Sequence, residues 1–309
     1  MSKKSIGLLA ALSANVMWGF MSIPLRLIKS YDADQILYYR IIVSFLISSL
    51  VVVFFNRKNL KTDIAYLSSI KGRDFSNLAI LIVVSGVFIT LNWFTFIYVV
   101  NSINLKSAAF AYMICPLITA LGGFVLLKEE LSKIKVIAIA IAVVSIFILA
   151  TGSVHEVLWS IVTAAFYAFF LIIQRKIQSI NKLNMLAFQM IVALGLIIPL
   201  FFVFPQPIPV ELSFWVNIVI ISAFFTVLPL LLSLIALTSL PSSTVGILIY
   251  INPVVAFSVA FFYFNERIQA NQLFAYGLLV CAVVIFNFKI IKESFFKFSK
   301  SSIKTNQAV

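Results

Sequence analysis

Arg40 stands one to two turns inside an apolar run that extends from about residue 36 to residue 55. Hydrocarbon is a costly place for a guanidinium, so the side chain must reach a cavity, a partner or the headgroups. One chemistry open to it is holding a carboxylate or phosphate through paired N–H donors. The other uses are snorkelling to the nearer headgroups or pairing with Asp32 or Asp34, and on sequence alone these weigh slightly more. Trp18, Trp93, Tyr112 and Tyr250 lie in other apolar runs, as do Asn15, Asn92 and Asn252. A small amphipathic solute needs flat apolar walls and a few polar points. Together with Arg40 these residues are the expected lining of a substrate cavity, although each alone more often packs a core or joins helices. Pro116 and Pro253 fall near the middle of two runs. Proline removes an intrahelical hydrogen bond, so the pair reads either as hinges beside the cavity or as static kinks.

Other chemistries lack their residues. His155 is the single histidine, and Cys115 and Cys281 both sit in apolar runs as small buried hydrophobes. No spacing suits a metal cluster or a disulfide framework, and no cofactor is expected. A Ser/His or Asp/Asp pair at membrane depth is also missing, which argues against an intramembrane enzyme. The carboxylates Asp32, Asp34, Asp63, Asp74, Glu129, Glu130, Glu156, Glu211, Glu266 and Glu293 sit at run ends or in connectors. Exchange of protons for cationic drugs needs a carboxylate at mid-membrane, so a simple antiport of that kind is disfavoured. Glu129 and Glu266 are placed to set two hairpins beside Lys128 and Arg267.

What positions these residues must be a membrane fold. Hydrophobic residues make up 62% of the 309 and charged residues 11%, where soluble domains run near ~45–50% and ~25%. Apolar runs cover about 5–28, 36–55, 77–100, 104–127, 134–151, 156–173, 185–204, 214–237, 242–264 and 272–291. Each can cross about 30 Å of hydrocarbon as a helix rising 1.5 Å per residue. None shows the alternation of barrel strands. The expected fold is an all-α integral membrane protein with ten transmembrane helices. The first run is too long for a cleavable leader and reads as a retained helix. A basic connector, 56–76, and a basic tail, 292–309, complete the chain. The net charge of +13 then reports orientation rather than a nucleic-acid partner. With the N-terminus inside, 18 of the 23 Lys and Arg fall on inner segments and 5 on outer ones. Both termini are expected in the cytoplasm and the protein in the bacterial inner membrane. Its expected partners are the lipid bilayer and a small-molecule substrate, with no nucleic acid and with a monomer sufficient.

Self-comparison adds a repeat. Sliding the first two runs forward by 149 positions brings Trp18 onto Tyr167, Arg26 onto Arg175 and Arg40 onto Gln189. Later runs repeat at an offset of 137, which pairs Pro116 with Pro253, Phe124 with Phe261 and Glu129 with Glu266. The units 1–151 and 152–291 would each hold five helices, and an odd number sets the second upside down. Inverted repeats of this kind belong to alternating-access carriers. Gln189 would approach from the cytoplasmic side, where its ordinary use is a helix-packing hydrogen bond.

A family resemblance rests on residues spread along the chain. They are Trp18-Gly19, Tyr39-Arg40, Asn92-Trp93 with Tyr98 and Asn101, and Tyr112 with Pro116-Leu117. Lys128-Glu129-Glu130-Leu131, Leu228-Pro229-Leu230, Tyr250-Ile251-Asn252-Pro253 and Glu266 continue the pattern. Together they resemble the EamA-type drug/metabolite transporters, and within them the RarD branch. Cys115 departs from an expected Asn and Ala111 from an expected Gly, which bears on the substrate and not on the fold. The resemblance implies inner-membrane helices and export or uptake of small metabolites or drugs. The expected function is a secondary transporter working by alternating access on a small amphipathic metabolite or drug-like solute, amino-acid-like or anionic. A channel or a non-transporting membrane sensor is the alternative.

Overall fold

The computed structural model of the chain describes residues 3–99, 105–149, 154–205, 207–265 and 270–292. Among them every regular element is helical. The first half of the chain holds α1 (Lys3–Phe20), α2 (Ser22–Leu27), α3 (Ala33–Phe55), α4 (Arg57–Ser69), α5 (Gly72–Tyr98), α6 (Leu105–Leu127) and α7 (Lys133–Leu149). The rest holds α8 (Val154–Lys176), α9 (Lys182–Val203), α10 (Leu212–Ser222), α11 (Leu228–Ser239), α12 (Ser242–Leu248), α13 (Ile251–Phe262) and α14 (Ala270–Phe286). Helices are what apolar sequence allows in lipid, because every backbone N–H and C=O must be satisfied within the chain. Among the described residues seven segments are long and apolar enough to cross a membrane: Lys3–Leu27, Asp34–Phe55, Gly72–Phe96, Val157–Lys176, Lys182–Val203, Leu212–Ser239 and Ser242–Val259. Tyr112–Leu127 and Leu273–Phe286 are shorter apolar helices, and α7 is a further one of 17 residues.

Prolines decide where helices break. Pro24 leaves the Phe20 carbonyl without its partner four residues on, and the first expected span divides at Met21. Pro253 does the same to Ile249. The helix expected over 242–264 breaks at Ile249–Tyr250, and the Asn252 N–H bonds the Ile249 carbonyl at 2.9 Å in a tighter turn. Pro253 therefore marks a break rather than a mid-helix kink, whereas Pro116 leaves α6 continuous. Upstream of Pro229 the chain widens into a π-helical turn, Ala223–Val227, in which the Leu228 N–H bonds the Ala223 carbonyl.

The connector expected over 56–76 is itself largely helical. In α4, Leu60, Asp63 and Leu67 form one stripe at helical spacing, and Asp63 is buried while Lys58, Lys61 and Ile64 are exposed. Asp63 is thus a helical, inward-facing residue rather than a loop carboxylate. His155, expected in a loop, lies in the first turn of α8, where Trp159 Nε1 donates to its Nε2 at 3.2 Å. Glu266, Asn101 and the tail from 293 to 309 lie outside the described residues.

The helices pack as a bundle. In one set α1 lies against α11 and α13, and α8 lies against α5 and α6. In another, α9 lies against α5, and α3 against α10. The pairs α3–α9, α6–α12 and α7–α14 complete the bundle. Side chains lace together the face on which α1 begins. Asn56 Nδ2 donates to Asn181 Oδ1 at 3.0 Å and to Asn184 Oδ1 at 2.9 Å. Asp63 Oδ2 accepts from the Asn181 N–H at 3.0 Å and from Asn184 Nδ2 at 2.5 Å. Arg175 Nη1 donates to the Leu237 carbonyl at 2.6 Å. Glu129 crosses from the end of α6 to cap α12, accepting from the Ser242 and Ser243 N–H groups and the Ser242 hydroxyl.

Candidate functional site

Arg40 turns inward from α3 and keeps 5% of its surface accessible. It neither snorkels nor pairs with Asp32 or Asp34. Its Nε donates to Thr226 Oγ1 at 2.8 Å, and its guanidinium carbon lies 5.1 Å from the centroid of the Trp93 ring. The other guanidinium N–H groups donate to no acceptor among the described residues. A bidentate ligand needs a fork of this kind, desolvated and not filled by any described side chain.

The π turn is what sets Thr226 beside Arg40. Thr226 Oγ1 donates back to the Ile221 carbonyl at 3.1 Å while accepting from the guanidinium. Ser222 Oγ donates to the Arg40 carbonyl at 3.1 Å, so the same helix grips α3 twice. In a regular helix the Phe225 carbonyl would be bonded by residue 229, which is proline. The indole Nε1 of Trp18 takes that place at 3.1 Å. Extra-residue turns of this sort recur at functional sites, where they re-aim a side chain.

Aromatic rings continue from there. Trp18 meets Tyr167 edge-on at 5.9 Å, Tyr167 meets Tyr112 at 6.5 Å, and Tyr112 meets Phe96 at 5.2 Å. Tyr167 bonds the Ser233 side chain. Tyr112, Tyr167 and Tyr250 all lie within electrostatic reach of the buried Cys115 thiol, and Tyr112 also of Arg40. Tyr250 is fully buried with an unpartnered hydroxyl, at the break between α12 and α13. Ring contacts and the Thr226 turn thus link Trp18, Arg40, Trp93 and Tyr112, while Tyr250 lies buried at the α12–α13 break, outside that linkage.

The asparagines stand differently. Asn92 Nδ2 donates to the Thr163 carbonyl at 2.9 Å and joins α5 to α8. Asn15 donates to the Ala11 carbonyl of its own helix at 2.8 Å, leaving its Oδ1 unpartnered. Asn252 is half-buried just past the α12–α13 break, where its carbonyl would sit 3.1 Å from a Cβ at Gly19. Pro116 and Pro253 are buried in α6 and α13. Sequence reasoning missed Thr226 and Ser233, and of the two cysteines expected to be buried Cys115 is and Cys281 is exposed. Tyr167 had a signal, as the repeat partner of Trp18. Thr226 had none, because nothing in residue type announces an extra residue in a helical turn.

Comparison with known proteins bears on the family and the fold. The EamA-like transporter family matches residues 5–151 and 155–288. The chain is 29% identical to Uncharacterized transporter YojE of Bacillus subtilis (strain 168) over 283 residues, covering 90% of this chain and 92% of the relative. It is 27% identical to Protein RarD of Escherichia coli (strain K12) over 288 residues, covering 91% and 93%. One solved crystal structure superposes with a TM-score of 0.74 at 14% identity, over 93% of this chain and 99% of its own. A likeness at that identity speaks to the fold alone.

Proposed function

From its membership of the EamA-like transporter family, which makes this chain a multi-pass membrane transporter, we propose that it carries a small amphipathic anion by alternating access. The observation that carries the reading is Arg40. A buried cation without a carboxylate partner among the described residues, set against the Trp93 ring, is a standing demand for an anion. The cargo's carboxylate or phosphate takes the guanidinium fork. Its apolar body lies along Trp18, Tyr112 and Tyr167. A drug-like or amino-acid-like solute with one acidic group and a flat apolar part meets both requirements.

Alternating access draws support from the two-unit organisation. Under the 149 and 137 offsets, α1 corresponds to α8, α5 to α10–α11 and α6 to α12–α13. The packing of α1 on α11 and α13 then matches that of α8 on α5 and α6. Lys128 and Asn265 are the described non-glycine residues with positive φ, both 54°, and they stand 137 apart. We read units 1–151 and 152–291 as inverted repeats of five helices, with ten spans in the bacterial inner membrane. The charge bias puts both termini in the cytoplasm. On that orientation the laced face, with Asn56, Asp63 and Glu129 bonded across the two units, is the cytoplasmic gate in its closed position.

Counterflow in proteoliposomes tests the function, using radiolabelled amino acids and organic anions that include phenylalanine and benzoate. Saturable exchange of an acidic solute is the expected result, and an active preparation that moves none of them would sink the reading. Arg40→Gln should abolish anion affinity. Full affinity in that variant removes Arg40 from the site.

A further inference from the structure

Gln174 of α8 and Gln189 of α9 are 1% and 0% exposed, and neither the Oε1 nor the Nε2 of either side chain has a partner. Other buried amides in the bundle behave differently. Asn15 and Asn287 each return Nδ2 to a carbonyl of their own helix, and Asn92 joins two helices. A buried carboxamide with both ends unmade carries the full desolvation cost and nothing in return. Gln189 is also the repeat partner of Arg40.

The two glutamines share one depth. A Cβ at Gly86 of α5 would meet Val192 of α9, so Gln189 lies one turn from that contact, toward the face where both helices begin. Phe88 of α5 meets Phe166 and Phe169 of α8, which runs the other way because Asn92 bonds Thr163. Gln174 therefore lies on the same side, and both fall within about a turn of the level of Ile82. Trp93, under Arg40, is eleven residues further along α5, which at 1.5 Å per residue is about 16 Å.

We infer that Gln174 and Gln189 form a second, inner binding station for the anionic group of the cargo, sealed in this conformation and opened when the laced face parts. The inference rests on the carrier reading above. Carboxamides at one depth can donate N–H groups to a carboxylate without adding charge. The anion thus passes from a cationic site to a neutral one, which holds it less tightly and lets it leave. In the sealed state the same amides are unmade, so opening gives them water or cargo to bond.

Two measurements test this. In a Cys115→Ala, Cys281→Ala background, thiols are introduced by Gln189→Cys or Gln174→Cys and exposed to methanethiosulfonate-ethyltrimethylammonium, whose fixed charge keeps it on the side of addition. The vesicles present one face or the other. Labelling from the cytoplasmic face at least tenfold faster than from the outer face is expected at both positions. The thiol from Ala138→Cys, equally buried between α7 and α14, should stay unlabelled. Equal labelling from both faces, or none, overturns the inference. The second arm uses Gln189→Leu and Gln174→Leu in counterflow with benzoate and phenylalanine. At least a tenfold loss of exchange is expected, with a Tm no lower than wild type. Exchange at the wild-type rate, or a Tm lowered by several degrees because the amide was packing after all, overturns it. A wild-type protein without exchange defeats the carrier reading and this inference with it. A transporting wild type matched by both leucine variants defeats the inference alone.

Discussion

Glu129→Gln should loosen the laced face by an amount the geometry sets. The carboxylate accepts from the Ser242 N–H at 2.6 Å, the Ser242 hydroxyl at 2.8 Å and the Ser243 N–H at 3.0 Å. Gly123 is what lets it lie there, since a Cβ at that position would come within 2.7 Å of Glu129 Oε2 and 2.9 Å of Ser242 Oγ. A glutamine oxygen can keep the Ser242 bonds, but its NH₂ then faces the Ser243 N–H, donor against donor. Hydrogen bonds to a charged acceptor contribute about 1.5–3 kcal/mol net. Glu129 is half-buried, so the lower part of that range applies. Losing one such bond and weakening the others costs roughly 2 kcal/mol of closed-state stability. At 1.4 kcal/mol per tenfold, that is about a 30-fold shift toward the open arrangement. If the open form starts near 1 in 100, it rises to about 1 in 4. Spin labels at Lys128 and Thr238, both exposed, would report it by double electron–electron resonance as a new population at longer distance. An unchanged distance distribution in folded Glu129→Gln protein would refute the idea that this cap holds the two units together.

Arg40→Met should abolish exchange of acidic solutes without lowering Tm. Burying the guanidinium costs several kcal/mol, against one bond to Thr226 and one ring contact. A Tm lower by more than about 5 °C would make Arg40 structural. Asp63→Asn removes the charged acceptor that fixes α4 to Asn181 and Asn184, at roughly 1–3 kcal/mol. Amide exchange across Arg57–Ser69 should accelerate by about 5- to 150-fold, and unchanged protection would contradict the docking role. Gly19→Ala places a Cβ about 2.4 Å from Val255 and should cost about 1–3 kcal/mol, while Gly277→Ala meets nothing within 4 Å and should be neutral or slightly stabilising. Thermal unfolding in detergent ranks the two, and the reverse order would refute the close packing of α1 on α13.

Much of the framework was legible because it depends on composition and length. A run of apolar residues can satisfy its backbone in lipid only as a helix, and such runs are plain in the sequence. The helix breaks were half legible. Pro24, Pro229 and Pro253 can be seen, yet Pro116 looks the same and leaves its helix whole. Whether a proline breaks a helix depends on what else can bond the freed carbonyl, and that is a tertiary matter. The membership of the site divides in the same way. Arg40 and the aromatics stand out because they are costly or large in an apolar run. Thr226 is an ordinary residue there until a π turn aims it. Asp63 was misplaced because α4 reads as a basic linker, and its inward stripe gains meaning only once Asn181 and Asn184 are seen to face it.

The path from Pro229 to Arg40 shows how a defect in one helix becomes chemistry in another. Proline has no N–H, so the Phe225 carbonyl needs a donor from elsewhere. Trp18 on α1 supplies it, and the turn between Ala223 and Val227 opens by one residue. That opening lets Thr226 bond both its own helix and the guanidinium of α3. Three helices are thereby held to one charged group through a single missing hydrogen bond. Trp18 also packs on Tyr167 of α8, the residue 149 positions on. A shift of α1 against α8 must then disturb the carbonyl bond, the turn and the grip on Arg40 together. On the carrier reading proposed above, such a shift of α1 against α8 would change how firmly the cation is held, and with it the release of an anion bound there.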